Sequence, residues 1–79
     1  MINPKTISLD TMMTVDGNEG RILWKDKDNR YAVFEFAEVI TYGVLDLNEM
    51  KFIEHEGEVE FEFFCIAYDF IADVLSSRN

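Results

Sequence analysis

Apolar and polar positions alternate through the N-terminal half of the chain, and a helical period takes over only near its end. Over residues 6–15, Ile7, Leu9, Thr11, Met13 and Val15 share one parity and Ser8, Asp10, Met12 and Thr14 the other, which predicts a strand. Asp16-Gly17-Asn18-Glu19-Gly20 follows. Its glycines and Asn supply positive-φ positions and predict a hairpin with a turn longer than two residues. Residues 21–25 (RILWK) read as a second strand, residues 26–29 (DKDN) as a polar turn, and residues 30–38 (RYAVFEFAE) as a third strand. In the third strand Tyr31 and Val33 fall on one face and Phe34 and Phe36 on the other. Apolar residues on both faces predict a central strand covered on each side.

Residues 39–45 extend the third strand past a kink at Gly43 on this reading, because β-branched and aromatic residues suit a pleated surface. Residues 46–49 then turn and residues 50–54 (MKFIE) form another strand, with a short helix over 46–54 as the competing reading. Gly57 predicts a turn with Glu56 or Glu58. Beyond it Val59, Phe61 and Phe63 alternate with Glu58, Glu60 and Glu62, the pattern of a half-buried strand. Near Phe64 the period changes. Phe64, Tyr68, Ile71 and Leu75, with Cys65 and Ala72 beside them and Phe70 and Val74 flanking, make an apolar stripe at helical spacing over residues 64–77. A start near Glu58, where glutamates would complement the helix dipole, is the alternative. The fold class expected is α+β: a small antiparallel β-meander of four to five strands with one C-terminal helix packed on the sheet.

Composition adjusts this picture in two ways. The chain has 79 residues, a single domain over residues 1–79, and a core of that size is modest. Eleven aromatics (seven Phe, three Tyr, one Trp) nevertheless argue for a compact fold over a disordered chain. Charge is unevenly placed. Residues 1–34 carry five acids and five bases. Residues 35–79 carry eleven acids against Lys51 and Arg78, so the whole net charge of −9 falls in the C-terminal half. Such a surface steers encounter with a cationic partner. It disfavours direct binding to nucleic acid and to anionic membranes, both of which need clustered Lys and Arg. The single cysteine, the absence of a secretory h-region and a longest apolar run of six residues point to a cytoplasmic protein.

Candidate chemistry is sparse. Glu54-His55-Glu56 places one histidine between carboxylates without further His or Cys ligands, so no metal site is expected and His55 reads as a solvated residue. Asp16-Gly17-Asn18-Glu19-Gly20 lacks the distal acids of a calcium loop. Cys65 lies within the most apolar run, where a buried thiol is inert, and no third residue orients it against His55. No phosphate-binding glycine loop, catalytic set or cofactor site is legible. The aromatic residues and the Met12-Met13 pair read mainly as core.

The exception is Glu54, Glu56, Glu58, Glu60 and Glu62, a run of one sign with Lys51 as the one base nearby. In an extended strand alternate residues stand about 6.6–6.8 Å apart. That spacing would present a regular line of negative charge, with Asp69 and Asp73 as a second acidic edge. The function expected is a non-enzymatic acidic inhibitor or decoy. It would dock on the basic, nucleic-acid-binding surface of a protein such as a nuclease or defence complex. Phage-encoded anti-defence proteins are of this small acidic kind, an analogy of type without a residue match. A homo-oligomeric assembly subunit, perhaps a homodimer through the apolar helix, and an antitoxin or immunity-type protein are the alternatives.

Overall fold

The computed structural model describes residues 9–75, with side chains through Asp73. Five strands run in chain order across one antiparallel sheet: β1 Met12–Val15, β2 Asn18–Lys25, β3 Tyr31–Phe36, β4 Tyr42–Asp46 and β5 Lys51–Phe52. A helix, α1 Phe64–Phe70, widens without a break into a π-helical segment, Ile71–Leu75. The protein is therefore α+β, a curled half-barrel meander with one C-terminal helix, as the pattern predicts.

Two apolar layers follow from the two faces of the sheet. Val15, Ile22, Ala32, Phe34, Phe36, Leu45 and Leu47 form one, with Met13, Met50 and Phe52 packed against them. Every strand or its adjoining turn contributes to it, as the inside of a curled sheet requires. The other layer sits beneath the helix and joins Val33 and Val44 to Phe61, Ala67, Phe70 and Ile71. β3 alternates between the two layers, so it is the covered central strand expected from its sequence.

The curl has a steric cause. Phe34, Phe36 and Phe52 form a triangle of rings with centroids 5.1–5.3 Å apart. Opposite Phe34 on β4 stands Gly43, and opposite Phe36 on β2 stands Gly20. A Cβ at Gly43 would come within 3.0 Å of Phe36 and 3.1 Å of Phe52. One at Gly20 would run into the Glu35 carbonyl oxygen and the Phe34 ring. The rings thus fill space that side chains on the facing strands would take, and the sheet closes over them.

Several local expectations are corrected. The first hairpin turns on two residues: Val15 pairs with Asn18, and Asp16 (φ 51°) and Gly17 (φ 82°) make the reversal. Two successive positive-φ residues match the twist of the flanking strands, so Asn18, Glu19 and Gly20 join β2. Residues 39–45 do not extend β3. The chain reverses over residues 37–40, with Ile40 at φ 48°, and returns as β4. Gly43 is then a cross-strand partner of Phe34 and no kink. After β4 a turn, not the competing helix, is stabilised by the Asp46 carboxylate, which accepts from the amides of Asn48 and Glu49. β5 is shorter than expected, two residues only.

Residues 59–63 are not a strand. Phe61 pairs with Tyr42 at a single bridge, and Val59 and Phe63 are exposed. Alternation is present there, but no neighbouring strand runs alongside to complete a ladder. On α1 and the π-helical segment after it the buried face is Ala67, Phe70 and Ile71 with Phe64 half-buried, whereas Cys65, Tyr68 and Ala72 are exposed. A helix resting on one sheet face buries one stripe, and Val33 and Val44 beneath it set which. Cys65 is thus on the surface, contrary to the buried thiol expected. Residues 6–8 of the first predicted strand, residues 76–77 of the helix and the side chains of Val74 and Leu75 lie outside the described residues.

Candidate functional site

Between β5 and α1 the chain makes a small excursion that carries most of the acidic run. His55 and Glu58 bridge each other, and Glu56 (φ 53°) and Gly57 (φ 82°) turn the chain between them. Past Glu58 it returns to the sheet at Phe61, whose amide donates to the Tyr42 carbonyl and whose carbonyl accepts from the Tyr42 amide. The reversal means that the glutamates do not form a straight line. Glu56, Glu58, Glu60 and Glu62 instead border one shallow groove of about 450 Å³, with Phe61 and Ile66 as its apolar lining.

His55 belongs to the same groove. Its ring lies 4.5 Å from that of Phe70 and 6.1 Å from Phe61, so it caps the layer beneath the helix while its edge stays in solvent. Its Nε2 is 3.9 Å from the Glu56 carboxylate. Glu60 is held in place by the Thr41 hydroxyl, which donates to it at 2.7 Å. Glu54, Asp69 and Asp73 are exposed but lie outside the groove lining. Ile66 and Asp69 are three residues apart on α1, so the helix continues the acidic surface beyond the groove.

Where the bases lie matters as much. Arg21 on β2 pairs with Glu35 on β3 at 2.9 Å and with Asp10, ahead of β1, at 3.1 Å. Lys25, Lys27, Arg30 and Lys51 sit at the end of the sheet formed by the β2–β3 and β4–β5 turns. Among the described residues, none of these borders the groove. The opposite end of the sheet carries Asp16 and Glu38 on its two turns, Glu19 at the start of β2 and Glu60 beside them. Asp26, Asp28, Asp46 and Glu49 balance the bases at the first end, so the excess of negative charge lies at the second.

A second cavity, of about 560 Å³, opens at that acidic end and shares Glu60 with the groove. Glu19 and Glu38 border it together with Val39 and Val59, and sequence reasoning did not single out these four. The signal was Glu38-Val39-Ile40 at the tip of a hairpin, apolar residues with no place in a strand face. Val39 is 56% and Ile40 74% exposed. Among the described residues no group of three His, Cys, Asp or Glu is arranged to hold a metal ion, and no helix is long and apolar enough to cross a membrane. No family model matches the chain, and neither do curated proteins or solved structures.

Proposed function

We propose that this protein is a non-enzymatic binding protein whose acidic face docks on a basic surface of another protein and blocks it. The observation that carries the reading is the convergence of Glu56, Glu58, Glu60 and Glu62 around a groove with an apolar lining at Phe61 and Ile66. Like charges held together oppose folding slightly and favour a cationic partner. The basic surface that fits best is the nucleic-acid groove of a nuclease or defence complex, where the protein acts as a competitive decoy of the anti-defence kind. An antitoxin or immunity-type role uses the same face on a different target. Pull-down from a host lysate with and without competing DNA tests the reading. Partners displaced by DNA support it, and a partner list unchanged by DNA removes the decoy.

A second reading, a homodimer or assembly subunit, has its own observation. Phe63, Ile66 and Tyr68 on and beside α1 are 55%, 47% and 40% exposed. An apolar helix face of this kind can be covered by a second copy. Sedimentation at high protein concentration separates the two readings, since a strict monomer leaves only the first.

A further inference from the structure

We propose that the cavity at the acidic end of the half-barrel is an anchor pocket for one long cationic side chain, a lysine or arginine, of the protein partner. This rests on the reading above that the partner is basic, and adds the place where a single side chain is gripped.

The pocket is built from two kinds of surface. Phe36, Val39 and Val59 are apolar, and Glu19, Glu38 and Glu60 bring three carboxylates to the same cavity. A hydrocarbon stem ending in a cation matches both, the stem lying on apolar atoms and the head among acids. A bare divalent cation matches neither half, because it needs several converging oxygens and gains nothing from valine methyls. A neutral apolar ligand leaves three carboxylates partly desolvated and unpaired. At about 560 Å³ the cavity falls within the size range of small-ligand sites.

The pocket is also pre-formed. The Ala37 amide donates to the Glu19 carbonyl at 2.9 Å and ties the β3–β4 turn to the first hairpin. The Thr41 hydroxyl holds the Glu60 carboxylate at 2.7 Å. Glu60 borders the glutamate groove as well, so groove and pocket are one continuous surface. That continuity selects a protein side chain over a free polyamine of the same chemistry: a partner seated on the groove can extend a residue into the pocket.

The test is a methyl-detected NMR titration of the full chain. The probes are the acetyl-methylamide derivatives of lysine, arginine and uncharged norleucine, and spermidine. The lysine and arginine derivatives are expected to shift the Val39 and Val59 methyl signals saturably. Norleucine should bind about fivefold more weakly, the loss of one partly exposed ion pair. Val59→Ser and the pair Glu19→Gln with Glu38→Gln should each weaken the cationic probes. All three sites are exposed, so the fold survives. Unmoved Val39 and Val59 methyls, or equal binding by norleucine, would overturn the proposal. Spermidine binding tenfold more tightly than either amino-acid derivative would also overturn it and assign the pocket to a polyamine. The variant Glu56→Gln/Glu58→Gln/Glu62→Gln leaves the pocket lining untouched. If it weakens partner binding while the pocket variants do not, the pocket fails and the acidic-face reading stands. If neither set affects partner binding, both fail.

Discussion

Trp24 meets Tyr68 edge to face, with ring centroids 5.0 Å apart and planes at 73°, immediately after a register shift in the sheet. On β2, Gly20 and Ile22 point into the curl, and strict alternation would send Trp24 there too. Instead Ile22 pairs with Phe34 and Trp24 with Val33, so two residues of β2 span one of β3. A bulge of this kind turns the next side chain to the other face. Trp24 therefore joins the layer beneath the helix and clasps α1 through Tyr68.

The Trp24–Tyr68 contact should register as a coupling energy. Trp24→Leu and Tyr68→Leu, singly and together, are expected to show about 0.5–1.5 kcal/mol of interaction in urea unfolding, the range for aromatic pairs beyond simple burial. Trp24→Leu should be the costlier single change because its ring is the more buried. Additive effects would show that the helix is held by its buried stripe alone.

Gly20 and Gly43 should differ in their tolerance of a methyl group. At Gly20 the added Cβ meets a backbone oxygen, which cannot move without breaking the β2–β3 ladder. At Gly43 it meets only ring edges at 3.0–3.1 Å, which can tilt. Gly20→Ala is expected to cost about 3 kcal/mol and Gly43→Ala about 1 kcal/mol, the two ends of the span of overpacking substitutions. Chemical denaturation ranks them, and the reverse order would refute the account of the curl.

Cys65 should react as a surface thiol. It is exposed on α1, so a colourimetric thiol reagent under native conditions is expected to modify it within about tenfold of the rate in denaturant. Cys65→Ser should change stability by less than about 0.5 kcal/mol, as surface substitutions do. Protection that is lost only on unfolding would place the thiol in the core.

For the acidic face, the kinetic signature is the informative one. Glu58→Gln, Glu60→Gln and Glu62→Gln together should reduce the on-rate for the captured partner by about tenfold at low salt and flatten its salt dependence. The off-rate should change less. Asp28→Asn with Glu49→Gln, both at the other end of the sheet, serves as the control and should have little effect. An unchanged salt series in the triple variant would mark the groove as a solvated surface.

The antiparallel meander and the identity of its central strand were legible in the sequence because alternation is a local property. Tyr31, Val33, Phe34 and Phe36 declare two covered faces whatever surrounds them. The positions of the Asp-Gly and Glu-Gly turns, though not the two-residue length of the first, were legible for the same reason, since positive φ is a demand on single residues. The C-terminal helix and the one-signed charge of the glutamate run are equally local. Tertiary structure decided the rest. Only pairing across strands could tell that Gly43 faces Phe34, which makes residues 39–45 a return strand. The bulge that re-aims Trp24 is a mismatch in count between two strands, and neither strand alone records it. Which stripe of α1 is buried depended on Val33 and Val44 beneath it, so Ala67 went inside and Cys65 outside. The glutamates alternate as a strand does, yet a strand exists only where a neighbour offers a ladder. β4 offers the segment around Phe61 a single bridge, at Tyr42, and the acidic run folds into a groove.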